Sequence, residues 1–219
     1  MRSSIRWLAV MQAGLVSAGA AQTRPPAPRT PWSVGFSIGT STFNGATAGL
    51  GETGEGLEFT PYRPTMLGIA VTYGRGGLRF GLSARRGDAG IGLRGVPFSE
   101  DSPTPDGVLI IAEGAYTVAT MAASASTRLA RLRGGPALRS SVGLNLERWT
   151  ATGTSPRTIL GPQAGLSLEI ALSGAFTATL EGELGFTPKS PFKVSDLPEG
   201  FRERSTWRRT LMAGLSWRL

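Results

Sequence analysis

The chain has 219 residues, no Cys, no His, 31 Gly and a formal net charge of +8. A sequence without Cys and His excludes disulfides, imidazole-ligated metals and every catalytic triad or dyad that depends on His. Glycine at about twice its usual share, without the three-residue period of collagen, favours turns and crowded sheets over helices. The length permits one domain with a full core, or one barrel.

The first 21 residues are predicted to be a secretory signal peptide. Two arginines form a basic start, residues 7–16 are apolar, and a run of small residues ends at Ala21. The apolar stretch is too short for a transmembrane helix, which needs about 20 residues, and the small residues favour cleavage after Ala20 or Ala21. Residues 22–31 contain four prolines and are predicted to form an extended linker.

From Trp32 onward, apolar and polar residues alternate, which is typical of β-strands. Eight segments follow this pattern: 33–39, 66–74, 78–86, 108–130, 137–148, 159–172, 175–186 and 206–219. Long and short connections also alternate. The long ones are residues 42–65, 87–107 and 187–205, the short ones are 75–77, 131–136 and 173–174, and residues 150–157 are of middle length. This order predicts tight turns at one end of a sheet and loops at the other.

The polar faces of these strands carry Gly, Ser and Thr together with charges of both signs. Such a mixture suits the narrow interior of a barrel, and the apolar faces would then meet lipid. A charge network inside the barrel is predicted for Arg79, Arg139, Glu147, Glu169, Glu181, Glu183, Arg208 and Arg218. Within it, Glu181 and Glu183 are expected to face Arg208, with Arg139 and Arg218 as further candidates. Arg85 and Arg128 lie on the same polar face.

Aromatic residues are predicted to mark both edges of the membrane. Trp207 and Trp217 lie ten residues apart with the same outward parity. At about 3.3 Å per residue and a tilt near 40°, they are separated by roughly 25 Å along the membrane normal, which is the height of the apolar band. Trp32 and Tyr73 would join Trp217 at the lower edge, and Phe186 would join Trp207 at the upper edge. The alternative is that these are ordinary core aromatics of a soluble sandwich.

The last eight residues carry a more specific pattern, in which Gly214, Trp217 and Leu219 form Gly-x-x-aromatic-x-apolar. This pattern resembles the C-terminal sorting signal of bacterial outer-membrane β-barrels, whose usual last residue is Phe. Residues 32–219 resemble the small eight-stranded class that includes the membrane domain of outer-membrane protein A.

The resemblance implies an eight-stranded antiparallel up-and-down transmembrane β-barrel in the outer membrane of a diderm bacterium, with both termini in the periplasm. It also implies contact with outer-membrane lipid and lipopolysaccharide, and with the barrel-insertion machinery during biogenesis. Arg209 has lipid-facing parity beside Trp207. It could meet lipopolysaccharide phosphates, or extend its side chain into the headgroup zone.

Three motifs suggest chemistry that their surroundings do not support. Residues 35–39 match the G-x-S-x-G nucleophile elbow around Ser37, but the sequence has no His base and strand alternation continues through the motif. Residues 90–95 match G-x-G-x-x-G, but no helix follows to hold a pyrophosphate, so this stretch is predicted to be a glycine-softened loop stem. Residues 190–193 match S-x-x-K within a proline-bounded loop.

The carboxylates do not predict catalysis or metal binding. Glu181 and Glu183 share one face, and structural ion pairing is the simpler interpretation of that pair. Lipid A deacylases, palmitoyl transferases, phospholipases and omptin proteases resemble this chain only in barrel shape, because their catalytic pattern includes a His. Acidic residues in the first two loops are predicted to be solvated loop tips: Glu52, Glu55, Glu58, Glu100, Asp101 and Asp106.

The predicted function is therefore that of a non-enzymatic outer-membrane protein, either structural or presenting loops to a ligand or surface. A small or gated solute channel stays open as an alternative, although an eight-stranded interior is filled by side chains. A soluble secreted β-sandwich binding module is the second alternative. We expect a monomer without cofactor or metal. Nucleic acid is not expected as a partner, because the arginines are distributed along strands rather than clustered with aromatic residues.

Overall fold

The computed structural model describes residues 30–49, 57–74, 77–95, 108–131, 135–151, 155–193, 195 and 199–219. These ranges contain the strands β1 (Trp32–Asn44), β2 (Thr47–Gly49), β3 (Glu58–Tyr73), β4 (Leu78–Arg94), β5 (Val108–Arg131), β6 (Ala137–Ala151), β7 (Arg157–Ala171), β8 (Phe176–Thr187), β9 (Phe201–Glu203) and β10 (Thr206–Arg218). Within them, no helix has the length and apolar character needed to cross a membrane. The predicted signal peptide and residues 22–29 of the predicted linker lie outside the described residues.

Eight of the strands form one closed antiparallel barrel in the order β1-β10-β8-β7-β6-β5-β4-β3. The ring closes because the first strand pairs with the last, from Ser33 opposite Arg218 to Asn44 opposite Trp207. The apolar faces point outward, and Phe36 and Leu82 expose 69% and 66% of their surface. The predicted eight-stranded up-and-down barrel is confirmed. The alternative of a soluble β-sandwich is wrong, because its apolar faces would be buried between two sheets.

The two ends of the barrel differ, as the alternating connection lengths predict. At one end lie Thr30, Leu219 and the strand ends that flank the three short connections: Tyr73 and Leu78, Arg131 and Ala137, Ala171 and Phe176. At the other end lie the strand ends that flank the longer connections: Asn44 and Glu58, Arg94 and Val108, Ala151 and Arg157, Thr187 and Thr206. We call these the turn end and the loop end. The last tight turn spans four residues rather than the predicted two, and the Ser173 hydroxyl accepts a hydrogen bond from the Phe176 N–H.

The second hairpin of the barrel is longer than the sequence pattern indicates. Strand β3 begins at Glu58, a predicted loop residue, and β4 continues to Arg94. The prediction that residues 90–95 form a loop stem is therefore wrong for all but Gly95. The backbone of β3 is irregular in this part of the hairpin. The register shifts between Tyr62 and Thr65, and Arg63 adopts a positive φ of 26°. A bulge of this kind breaks the two-residue period from which strands are recognised.

A second, two-stranded sheet lies at the loop end. Strand β2 pairs with β9, from Thr47 opposite Glu203 to Gly49 opposite Phe201. The Arg204 N–H donates to the Ala46 carbonyl over 3.1 Å and continues this contact. Glu58, at the start of β3, accepts hydrogen bonds from the N–H groups of Gly45 and Ala46. The loop between β8 and β10 is thereby tied to the first loop.

Candidate functional site

The polar faces of the strands line the barrel interior, where ion pairs connect strands that are distant in the ring. Strands β4 and β8 are four positions apart among eight, so they face each other across the barrel. Arg85 on β4 donates hydrogen bonds to Glu183 on β8 from both terminal guanidinium nitrogens, Nη1 and Nη2, with 2.8 Å between Nη2 and Oε1. The same nitrogen lies 3.4 Å from Glu181 Oε2. A guanidinium spanning the interior in this way holds two opposite walls together.

This arrangement corrects the predicted partner of the two glutamates. The sequence pattern predicts Arg208 as the partner of Glu181 and Glu183, with Arg139 and Arg218 as further candidates, and does not place Arg85 in the network. Arg208 instead lies closer to the loop end and pairs with Glu147, at 2.5 Å between Nη1 and Oε1. Parity identifies which residues point inward, whereas the strand order and register decide which of them meet.

The Arg208–Glu147 pair is buried and well bonded. Glu147 also accepts hydrogen bonds from Asn145 Nδ2 at 2.9 Å and from the Trp149 indole nitrogen at 3.0 Å. Arg208 Nη2 lies 3.4 Å from the Gln163 side-chain oxygen. Gly185 makes room for the guanidinium, because a Cβ at that position would lie 3.3 Å from Arg208 Nη2. Most of the donors and acceptors of this buried pair are therefore satisfied, as its burial requires.

A third group of charges lies near the turn end. Arg79 Nη1 lies 2.6 Å from Glu169 Oε1, and Arg139 Nε lies 3.9 Å from the same oxygen. Arg139 is only 2% exposed, and its Nη2 donates to the Gly77 carbonyl at 2.9 Å and to the Ser126 carbonyl at 3.2 Å. Its Nε and Nη1 have no hydrogen-bond partner among the described residues. Arg218 lies at the same end, opposite Ser33 in the register.

The turn-end half of the interior holds two neighbouring cavities. The inner one, of about 160 Å³, is lined by Arg79, Arg85, Arg139 and all three glutamates of this half. The outer one, of about 330 Å³, forms the mouth. Both are lined by Ser33, Thr72, Arg79 and Ser216, so they adjoin each other. At about 30 Å³ for each water, the inner cavity of about 160 Å³ has room for about five waters.

An apolar cluster fills the interior at the loop end. Trp149 is 2% exposed and packs edge-on against Phe43, with ring centroids 5.4 Å apart, and against Tyr116. We call the buried group the loop-end cluster; it consists of Phe43, Ala46, Met66, Ala89, Tyr116, Val118, Trp149, Ile159, Phe192 and Met212. The sequence interpretation missed this cluster, although Trp149 has the parity of Glu147 and could have been found by extending the inward face.

The exterior carries aromatic pairs near both ends. Trp32 and Tyr73 are register partners at the turn end with centroids 4.8 Å apart, and Trp207 and Phe186 are partners at the loop end with centroids 4.9 Å apart. Trp217 stacks on Phe176, which the sequence interpretation did not assign. The large apolar side chains between these pairs point outward and are exposed. Their assignment to the two membrane edges stays a prediction.

The residues of the three sequence motifs lie in regular strands or loops. Ser37 lies within β1, which continues to Asn44, so no helix follows the G-x-S-x-G match. Gly214 and Trp217 lie on β10, and the Leu219 N–H donates to the Trp32 carbonyl over 3.1 Å. The sorting role of this segment stays a prediction. No group of three or more acidic side chains that could hold a metal ion occurs in the part of the chain that the structure describes.

No family model matches the chain, and no curated protein matches it. Among solved structures, the chain is similar to Neisserial surface protein A, with a TM-score of 0.55 and 13% identity over 88% of this chain and 100% of that one. It is also similar to the outer membrane protein OprG from Pseudomonas aeruginosa, with a TM-score of 0.51 and 12% identity over 90% of this chain and 99% of that one. At this identity the similarity shows the fold.

The chain therefore has the fold of the small bacterial outer-membrane β-barrels, as its strand pattern and end motif predict. A closed barrel with an exposed apolar band is the form in which a sheet crosses a membrane, because every strand edge is paired and the apolar side chains meet lipid. The protein has the fold of a transmembrane barrel of the bacterial outer membrane.

Proposed function

We propose that the protein is a non-enzymatic, non-conducting outer-membrane barrel whose loop end presents a surface to ligands or partners outside the cell. The observation that carries the proposal is the filled interior. Ion pairs cross it at Arg85–Glu183 and Arg208–Glu147, and the loop-end cluster follows around Trp149. A polar solute entering from the turn end would meet two buried ion pairs and then a packed apolar layer.

The alternative of a small or gated channel requires this interior to open. Opening would expose Trp149 and Phe43 and would remove the indole hydrogen bond to Glu147. Burial of aromatic side chains of this size opposes such a change by about 1.5–3 kcal/mol each. A gate built from these residues would therefore be closed in the resting protein.

The described part of the loop end is packed against the barrel, which suits a binding surface. Phe192 is buried against Tyr116, with centroids 5.6 Å apart, and its carbonyl accepts a 2.7 Å hydrogen bond from Arg157 Nη1. Phe59 and Phe201 pack edge-on at 4.6 Å. A surface whose backbone is held before binding loses less entropy when a ligand docks. Lys189, Arg202 and Arg204 are exposed on it.

The four interior glutamates described above each form an ion pair with an arginine, which supports a non-enzymatic role. Glu181 and Glu183 both contact Arg85, Glu169 contacts Arg79, and Glu147 contacts Arg208. A general base must reach a substrate, and these groups are bonded to cations inside a narrow barrel.

Contact with lipid phosphates is proposed for the exterior. Arg86 and Arg148 are exposed, and each is a register neighbour of Ala119, so they lie about 10 Å apart, two strand spacings. The next row toward the turn end is apolar, at Ala84, Met121 and Leu146. Neither arginine has a hydrogen bond or ion pair among the described residues. Their position at the edge of the apolar band suits outer-leaflet phosphates, as does that of Arg209.

Planar-bilayer recording tests the proposal most directly. The purified wild-type barrel is expected to insert without conductance steps at any applied voltage. The mobility difference between unboiled and boiled protein on a gel verifies that the protein is folded, and flotation of the protein with liposomes of the same lipid verifies that it inserts. Regular single-channel steps from the wild-type chain would contradict the proposal and favour the channel.

A further inference from the structure

The cavity in the turn-end half of the barrel is blind. It opens at the turn end, whereas Arg85 and Glu183 cross it on the other side and the loop-end cluster lies beyond them. Its shape is therefore that of a pocket with one entrance, in which a small molecule can bind without passing through. A ligand could therefore bind in this pocket whether or not the barrel conducts, so this inference does not depend on the proposed absence of conductance.

Arginines dominate the entrance of the pocket. Arg79, Arg128 and Arg218 line the mouth cavity, which has no Asp or Glu in its lining. Arg128 and Arg139 are direct register partners on β5 and β6. Glu169 is the carboxylate that contacts Arg79 and Arg139 at this level of the barrel. Together, the linings of the inner and mouth cavities contain five arginines and three glutamates, and this excess of arginine attracts an anion into the interior.

Arg139 carries hydrogen-bond donors suited to that anion. The side chain is held in place by its Nη2, which donates to Gly77 and Ser126. Its Nε and Nη1 are buried and have no hydrogen-bond partner among the described residues, and Arg139 lines the inner cavity. A buried guanidinium nitrogen without an acceptor is costly, so an acceptor that enters the pocket gains the energy of that bond.

The surroundings of Arg139 favour a small oxyanion over a larger or apolar ligand. The hydroxyls of Ser126, Ser141 and Ser167 line the same cavity and can donate to anionic oxygens. Glu181 is the register neighbour of Ser167, and its carboxylate is directed to Arg85. That carboxylate limits how deep an anion can bind, so the site lies between Arg139 and the mouth.

We propose that the turn-end pocket binds phosphate, a small oxyanion, through Arg139 and the arginines of its mouth. Glu169 contacts the same cations and therefore competes with the bound anion. The pocket opens on the side opposite the loops, so its ligand enters from the turn end.

Calorimetric titration of the detergent-solubilised full chain with inorganic phosphate, at constant ionic strength, tests the proposal. Saturable binding is expected for phosphate and not for chloride. Arg139→Gln should weaken phosphate binding by about tenfold or more, because it removes a charge-assisted hydrogen bond. Glu169→Gln should strengthen it, because the competing carboxylate becomes neutral. Arg131→Gln alters an exposed arginine at the same end, outside the pocket lining, and serves as the matched control.

Each outcome decides the proposal. Absence of saturable phosphate binding by the wild-type chain overturns it, and so does equal affinity in wild type and a folded Arg139→Gln variant. Folding is checked by the mobility of the unboiled protein. If Arg139→Gln does not fold, Glu169→Gln decides instead, since weaker or unchanged binding in that variant contradicts the predicted competition.

Discussion

The indole N–H of Trp149 donates a 3.0 Å hydrogen bond to Glu147, the same carboxylate that pairs with Arg208. The apolar cluster that fills the loop end is thus bonded directly to the ion pair beneath it. One carboxylate satisfies an amide, an indole and a guanidinium in an interior where none of them reaches bulk water. Closure of the barrel and pairing of its charges therefore depend on one another.

Removing this carboxylate should destabilise the barrel strongly. Glu147→Ala leaves the buried Arg208 guanidinium and the Trp149 N–H without their acceptor, and a broken buried pair costs about 3–5 kcal/mol. The free energy of unfolding in urea, followed by tryptophan fluorescence in detergent micelles, measures the loss. Glu199→Ala, at an exposed loop position, should change it by less than about 0.5 kcal/mol.

The double variant Glu147→Leu/Arg208→Met distinguishes the contribution of the ion pair to stability from that of the packing of its two side chains. Replacing both charges with apolar side chains of similar size should recover most of the lost stability, because no charge is left buried alone. A double variant as unstable as Glu147→Ala would show that the loss arises from packing rather than from the unpaired guanidinium.

Close packing inside the sheet should make one strand glycine irreplaceable. A Cβ at Gly143 on β6 would overlap the Ala123 carbonyl oxygen and would lie 2.9 Å from Ser124 Cα. Gly143→Ala should therefore cost about 1–3 kcal/mol or prevent closure. Gly182 on β8 has no atom within 4 Å of such a Cβ, and Gly182→Ala should be neutral or stabilising by up to about 1 kcal/mol.

The folded fraction after dilution from urea into detergent measures this difference, because folded and unfolded protein migrate separately when unboiled. Equal folding of the two alanine variants would mean that β5 and β6 can move apart without loss.

Arg157 should hold the loop between β8 and β10 on the barrel. Its guanidinium donates to the Phe192 carbonyl at 2.7 Å and to Glu203 Oε2 at 2.5 Å, so Arg157→Ala releases both contacts. Chymotrypsin cleaves after aromatic residues, and cleavage after Phe192 and Phe201 should become several-fold faster because local opening costs less free energy. Lys189→Ala, at an exposed residue of the same loop, should leave the cleavage rate unchanged.

Neutralising the outward arginines should weaken lipid binding. Arg86→Gln/Arg148→Gln removes two exposed cations beside Ala119, and lipopolysaccharide retained by the purified barrel should fall several-fold, because charge-assisted bonds to phosphate are lost. Arg131→Gln is the control, because Arg131 is exposed at the turn end. Retention unchanged in the double variant would contradict the proposed contact of Arg86 and Arg148 with lipid phosphates.

The alternation of apolar and polar residues in the sequence was sufficient to predict the barrel and its two faces. Alternation from Val34 to Ile38 and from Leu211 to Leu219 predicts strands with one apolar side, and charges of both signs on the other side predict a filled interior. These features are local, because successive side chains of a strand point to opposite faces whatever the strand pairs with.

Local irregularity limited that prediction near the loop end. The bulge between Tyr62 and Thr65 interrupts the two-residue period, so the outer part of the second hairpin could not be recognised. Trp149 kept the inward parity of Glu147, but its role depends on Phe43 and Tyr116, which come from other strands.

The partners inside the barrel were decided by tertiary structure alone. Parity places Arg85, Arg208 and Glu183 on the inner wall, but only the closed strand order brings β4 opposite β8 and directs Arg85 to Glu183. Arg208 lies at a different height in the barrel from Glu181 and Glu183, and it pairs with Glu147 instead. The period of a strand specifies a face, whereas pairing across a barrel depends on the stagger between strands, which no single segment encodes.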